Sequence, residues 1–182
     1  MSVYEPSNFA GTLPVMAGKE PEYGPTATAV AENVARLRGE LNMSYTDVSD
    51  RMREGGWSLS PVAIRRIENK QRKVSPDDLT ALAIALRVTP PALLMPDTET
   101  SRDTVELTGM VLGEKGAGAP AIAVWQWLRS EQVLFSDAPS DASMLGQAVT
   151  LLRSAPKWER AALNEQFAAQ VAASRGASDG NR

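Results

Sequence analysis

The sequence contains no cysteine and no histidine among its 182 residues. These absences exclude disulfide bonds, thiolate nucleophiles, zinc sites built from Cys and His, and every catalytic mechanism that needs an imidazole base. Aromatic residues make up only 5% of the chain. No apolar run approaches the roughly 18 residues of a transmembrane helix, and no cleavable signal pattern opens the chain. We therefore expect a cytoplasmic protein that binds no cofactor and is not an enzyme.

Charge is distributed unevenly in this chain, whose formal net charge is −3. Residues 36–73 contain nine basic and five acidic side chains, whereas the segments before and after them are net acidic. Five of the basic side chains lie in the stretch SPVAIRRIENKQRK, residues 60–73. A basic patch in an acidic chain indicates a polyanionic partner more directly than the overall charge does.

Apolar spacing predicts five short helices between residues 26 and 96. The first covers roughly 27–42, and the fifth begins with Pro90-Pro91 and lies around 92–95. The middle three each follow a serine that can cap a helix: Ser44 with Asp47 as its capping-box partner, Ser60 before Pro61, and Ser75. Gly55-Gly56 is expected to end the second helix. Five helices joined by short turns predict a compact, mainly α-helical domain.

The third predicted helix has two faces that suit the recognition helix of a helix-turn-helix. Ile64 and Ile67 form its buried side. The residues left for the outside are Ser60, Pro61, Val62, Arg65, Arg66 and Asn69. Arginine is the commonest reader of guanine, because its guanidinium group bonds O6 and N7 together. Beyond the helix, the cations placed to meet phosphate oxygens are Lys70, Arg72 and Lys73.

Residues 30–52 and 60–94 together resemble the Cro/lambda-repressor-like helix-turn-helix family, also called XRE. The matching motifs are Arg36-Leu37-Arg38, Ser44 with Val48-Ser49, Ile64 with Ile67-Glu68-Asn69, and Leu79, Leu82-Ala83, Leu86 and Val88. The long segment 53–59 resembles the extended turn of actinobacterial and phage-like members. Lys70 stands where the family usually has glycine, so we expect Asn69 to cap the third helix.

The resemblance implies a five-helix lambda-repressor-like DNA-binding domain and gives roles to particular residues. Its base-contacting positions fall on Ser60, Pro61, Val62 and Arg66, to which we add Arg65. Its phosphate-contacting positions at the start of the second helix fall on Ser44 and Tyr45. To these we add four residues at and beyond the end of the third helix: Asn69, Lys70, Arg72 and Lys73. Glu68 is implied to pair with Arg36 or Arg38.

The rest of the chain predicts a smaller, mostly helical module at 104–174, joined by a linker at 97–103. Its expected elements are a strand at 104–112, a loop at 113–120, a helix over 121–134 with Val124 and Trp127 inward, and helices at 144–153 and 156–174. The last helix carries an apolar stripe: Trp158, Ala162, Leu163, Phe167 and Val171. So small a module buries such a stripe poorly alone, which favours a homodimer. A flexible arm is expected at 1–25 and a disordered tail at 175–182.

One enzymatic alternative is self-cleavage by a serine with a lysine base, as in some repressors cut at an Ala-Gly bond. Ala117-Gly118 lies in a loop-like segment, but Lys157 is the only lysine that follows it. The residues beyond the bond are helical in pattern, whereas such peptidases have a larger, β-rich domain. The sequence therefore favours a protein that is not an enzyme.

Two functions stay open at this point. The first is a sequence-specific transcriptional regulator, a repressor of phage or prophage type, which binds a double-stranded DNA operator with helix 60–69. The second is an antitoxin-like or adaptor protein, in which residues 104–174 bind a protein partner while the helix-turn-helix regulates its own gene.

Overall fold

The computed structural model describes residues 23–110, 118–134 and 148–179, with 170–179 described by their backbone alone. Its helices are α1 Pro25–Glu40, α2 Tyr45–Glu54, α3 Pro61–Glu68, α4 Pro76–Ala85, α5 Pro90–Leu94, α6 Ala121–Leu128, α7 148–154 and α8 Arg160–Asp179. A short antiparallel pair of strands, β1 Thr104–Val105 and β2 Ala119–Pro120, precedes α6. The predicted fold class, a mainly α protein with a five-helix domain followed by a small helical part, is confirmed.

Capping boxes start α2, where the sequence predicts one, and also α4. The Ser44 hydroxyl accepts a hydrogen bond from the backbone N–H of Asp47, and the Asp47 carboxylate accepts one from the Ser44 N–H. The pKa of Asp47 is lowered because the Ser44 side chain and backbone donate to its carboxylate. Ser75 and Asp78 form the same box on α4. Each box satisfies donors that a helix start leaves open, so both starts are fixed locally.

Asn69 is the C-cap residue of α3, as predicted, but the left-handed residue that closes the turn is the next one. Lys70 itself adopts the left-handed conformation, with φ 58°, whereas Asn69 has φ −80°. The N–H of Gln71 donates to the carbonyl of Arg66, and the N–H of Lys70 donates to that of Ile67. This is the hydrogen-bond pattern that usually ends a helix at a glycine. Here a lysine adopts the left-handed conformation, which is unfavourable for a residue with a side chain.

The core of the five-helix domain is built from residues that the helical spacing places inward. Val34, Val48, Ile64, Ile67 and Leu82 are fully buried together in one cluster. Proline at the start of α1 places that start two residues ahead of the predicted one, since proline suits the first helical turn, whereas α5 starts at Pro90 as predicted.

A buried asparagine fastens α5 to α1. The Asn33 side chain is 1% exposed, and its amide donates to the carbonyls of Leu93 and Met95 at 3.0 and 2.6 Å. Arg36 donates to its amide oxygen at 3.0 Å. All three bonds satisfy groups that would otherwise be costly to bury, so the short α5 has a fixed place on the domain.

The region after α5 differs from the predicted linker and strand. Asp103 accepts hydrogen bonds from the backbone of Glu99 and Thr100 and from the Thr100 hydroxyl, so part of 97–103 forms a defined turn. The Thr100 hydroxyl is the main reason why the pKa of Asp103 is lowered. The predicted strand 104–112 is reduced to β1, and the predicted loop 113–120 ends in β2. Residues 111–117 lie outside the described residues.

A second, smaller core forms around β1, β2 and α6. Its buried residues are Val105, Leu107, Met110, Ala119, Ala121 and Val124, and Met95 packs against them. The prediction for Trp127 is wrong, because that side chain is 40% exposed. The helix predicted over 121–134 ends at Leu128, where Ser130 takes φ 59° and closes the turn. Asn33 of α1 donates to the carbonyl of Met95, and Thr26 exchanges hydrogen bonds with Thr108. This part therefore packs against the five-helix domain.

The C-terminal helices begin and end differently from the prediction. α8 starts at Arg160 instead of 156, and it continues through residues 175–179, where we predict disorder. The reason is composition, since α8 is rich in alanine, the best helix former. Residues 144–147 and 180–182, like most of the predicted N-terminal arm, lie outside the described residues. In the described part of the chain, no helix is long and apolar enough to cross a membrane.

Candidate nucleic-acid interface

The third helix presents a polar and basic face to solvent. Ile64 and Ile67 are fully buried, whereas Val62 is 61% exposed and Arg65 and Arg66 are exposed beside it. Ser60 caps the helix by accepting a hydrogen bond from the backbone of Ala63, and Pro61 occupies the first turn. The outward residues therefore lie together on one accessible face, anchored from behind by the two isoleucines.

Three cations of this region are available for a new partner. Within the described residues, no carboxylate lies within ion-pair distance of Arg65, Arg66 or Lys73, although six other basic residues of the chain are paired. All three side chains are exposed. Unpaired surface cations on and just after an exposed helix are the feature that phosphate and base recognition require.

Two of the other predicted phosphate contacts have intramolecular partners. Lys70 Nζ lies 2.7 Å from Glu32 Oε1 in an exposed ion pair, which contributes about 0–1 kcal/mol and is easily exchanged. Arg72 Nη2 lies 2.9 Å from Asp78 Oδ2, and the Asp78 side chain is only 4% exposed. Asn69 is exposed at the end of α3.

An arginine of α1 joins the start of α2 to the end of α3. Arg38 makes two hydrogen bonds to Glu68, from Nε at 2.6 Å and from Nη2 at 2.8 Å, and a third to the Met43 carbonyl. Its guanidinium group also lies 4.3 Å from the ring centre of Tyr45. The pKa of Arg38 is raised, chiefly because the Glu68 side chain accepts its hydrogen bonds. Of the two partners that the resemblance implies for Glu68, Arg38 is the one observed.

This arrangement groups the predicted phosphate contacts around the helix ends. Ser44 is exposed and Tyr45 half-buried at the start of α2, where Arg38 holds them near the end of α3, next to Asn69 and Lys70. Ser60 and Pro61 lie at the opposite end of α3. The predicted base and phosphate contacts are therefore spread along one helix and its flanks.

The long turn between α2 and α3 is held by bonds that the sequence pattern does not reveal. Ser49, buried on α2, donates its hydroxyl to the Leu59 carbonyl at 2.7 Å. Trp57 Nε1 donates to Asp78 Oδ1 at 2.9 Å. Sequence reasoning missed both contacts. The one available signal was Ser49 itself, which stands where the family motif usually has alanine.

Comparison with known families agrees with this geometry. Residues 34–93 match a family model described as Helix-turn-helix, a match over about a third of the 182 residues that includes all of α2, the turn and α3. This segment is a DNA-binding helix-turn-helix domain of the kind found in transcription regulators. The matched model is that of the Cro/C1-type, or XRE, helix-turn-helix family. Comparisons with curated proteins and with solved structures give no match.

Proposed function

We propose that the protein is a repressor that binds a specific operator in double-stranded DNA, with α3 in the major groove. The observation that carries this proposal is that Arg65 and Arg66 are exposed on the outer face of α3, without an ion-pair partner among the described residues, in a domain that matches the helix-turn-helix model. An α-helix fits the major groove, where each base pair offers a distinct pattern of donors and acceptors.

The side chains of this face match the chemistry of base edges. Arg65 and Arg66 can each bond O6 and N7 of a guanine, and the exposed Val62 offers an apolar contact for a thymine methyl group. Ser60 and Pro61 lie at the N-terminal end of the helix. Regulators of this kind commonly place the N-terminal residues of the recognition helix against the bases.

Phosphate contacts would come from both flanks of the recognition helix. Ser44 and Tyr45 supply a polar helix start, and Asn69, Lys70 and Lys73 follow the end of α3. Lys70 would exchange Glu32 for a phosphate at little cost, since its present ion pair is exposed. Such contacts fix the position of the helix on DNA without reading the sequence.

Selection of bound duplexes from a random pool tests the proposal. We expect one motif containing guanine to be enriched by the wild-type protein, and an Arg65→Ala/Arg66→Ala variant to lose that enrichment. Enrichment of the same motif by both proteins would show that α3 does not read the bases. Recovery of no motif by a folded wild-type protein would contradict operator binding altogether.

Replacing Lys73 with alanine should reduce the salt dependence of DNA binding. Lys73 is exposed and unpaired within the described residues, so each phosphate it neutralises would release a counterion. We expect the slope of log affinity against log salt to fall by about 0.9, equally for operator and unrelated DNA. Arg102→Ala, which removes an exposed cation from the turn before β1, is the control. An unchanged slope for the Lys73 variant would remove this residue from the interface.

We also propose that the protein is a homodimer through its C-terminal helices. Trp158 is 81% exposed, and Leu163 and Phe167 on α8 are only partly buried. A second copy covering this surface would bring two recognition helices to half-sites about 34 Å apart.

Replacing Trp158 with glutamate should therefore convert a dimer into a monomer in sedimentation experiments and weaken operator binding. Ile84→Glu, at a 67% exposed position on α4, is the control that leaves the dimer intact. A wild-type protein that is monomeric with and without DNA would contradict the dimer. It would favour the antitoxin-like or adaptor function, in which this surface binds another protein.

A further inference from the structure

Asp78 makes two side-chain contacts in addition to those of the capping box of α4. Its Oδ1 accepts a hydrogen bond from Trp57 Nε1 at 2.9 Å, and its Oδ2 accepts one from Arg72 Nη2 at 2.9 Å. The corresponding capping residue of α2, Asp47, is exposed and bonds only to Ser44 among the described residues. Capping alone therefore does not require the burial of Asp78.

The two partners of Asp78 lie on either side of the recognition helix. Trp57 belongs to the turn that precedes α3, and its backbone N–H donates to the Met52 carbonyl. Arg72 belongs to the loop that follows α3, and its backbone N–H donates to the Arg66 carbonyl at 3.1 Å. One buried carboxylate thus bonds to both flanks of α3.

We propose that Asp78 is a positioning residue for DNA binding, which holds α3 at its working angle through Trp57 and Arg72. In this role Arg72 binds the buried carboxylate of Asp78. The proposal replaces the sequence-based prediction that Arg72 contacts a DNA phosphate. The inference rests on the proposed function, because it concerns how the recognition helix is presented. A side chain that is 4% exposed acts through its neighbours, since it cannot reach DNA itself.

The direction in which DNA affinity changes on Asp78→Asn distinguishes this role from simple neutralisation of the Arg72 charge. Asp78→Asn and Asp77→Asn each remove one negative charge from the first turn of α4, but Asp77 is exposed. If Asp78 only neutralised Arg72, then Asp78→Asn would free a cation, tighten DNA binding and raise the salt slope by about 0.9. We expect the opposite: operator affinity falls about tenfold, as for the loss of one base contact, with no rise in slope. Asp77→Asn should not weaken binding.

Loss of stability is controlled with a second variant. Ser75→Ala removes the hydroxyl cap of α4 but keeps the bonds from Asp78 to Trp57 and Arg72. We expect it to lower the thermal stability while keeping operator affinity, measured well below the unfolding temperature. Equal weakening by Ser75→Ala and Asp78→Asn, or tighter binding by Asp78→Asn, would overturn the proposal.

Hydrogen exchange of the Trp57 indole N–H tests the same clamp without DNA. The signal, assigned with Trp57→Phe, should exchange slowly in the wild type and at least tenfold faster in Asp78→Asn, because the variant loosens a bond that must open before exchange. Equal exchange rates would show that Asp78 does not hold the turn. If no DNA motif is recovered in selection, operator binding fails while this measurement still decides whether the clamp exists.

Discussion

Replacing Arg66 with alanine is expected to abolish the preference for the operator while leaving the fold intact. The Arg66 side chain is exposed and unpaired among the described residues, and Arg66 bonds to this part of the protein only through its backbone. Loss of one bidentate contact to guanine should cost about 1–3 kcal/mol per subunit, which weakens specific binding roughly 5- to 150-fold. Binding to unrelated DNA should change much less, because phosphate contacts dominate it.

The control for this experiment is Arg102→Ala, which removes an exposed arginine from the turn before β1 and the same charge from the chain. Fluorescence anisotropy with operator and scrambled duplexes measures both affinities, and circular dichroism checks the fold. If the Arg66 variant keeps wild-type selectivity, or if the Arg102 variant loses as much, α3 is not the reading element.

Replacing Arg38 with alanine is expected to destabilise the five-helix domain by about 3 kcal/mol. The reason is the carboxylate left behind: the Glu68 side chain is 6% exposed, and Arg38 supplies two of its hydrogen bonds. A buried charge without its partner costs far more than the loss of an exposed pair. Urea unfolding monitored by circular dichroism measures the change in the free energy of unfolding.

Two further variants separate this cause from loss of charge in general. Arg53→Ala breaks the exposed ion pair with Asp50 and should change the free energy of unfolding by less than about 1 kcal/mol. Adding Glu68→Gln to Arg38→Ala removes the stranded charge and should recover part of the lost stability. An Arg38 variant as stable as the Arg53 variant would show that the buried pair does not hold α1 to α3.

The helix starts of the five-helix domain could be predicted because their determinants are local. Ser44 and Ser75 bond to residues three positions away, so a short stretch of sequence contains both partners. The pairing of β1 with β2 could not be predicted, because it depends on two strands that are far apart in the chain. The early end of α6 depends on Ser130 in the left-handed conformation, which serine rarely adopts.

The outward face of the candidate site could also be predicted, since the spacing of Ile64 and Ile67 decides which side of α3 is buried. The structure has Val62, Arg65 and Arg66 exposed on that helix, while their contacts with DNA stay a prediction. What the spacing could not reveal is the support behind the helix. Contacts such as those of Asp78 join residues from three elements, and only the packed fold brings them together.

Chemical-shift mapping of the isotope-labelled protein, titrated with its selected operator duplex, shows which residues meet the DNA. We expect the largest amide shifts at residues 60–69, with smaller shifts at Ser44, Tyr45, Lys70 and Lys73. Residues 121–128 of α6 should shift little. Large shifts confined to the C-terminal helices, or an absence of shifts in α3 at saturating operator, would contradict the claim that this helix reads DNA.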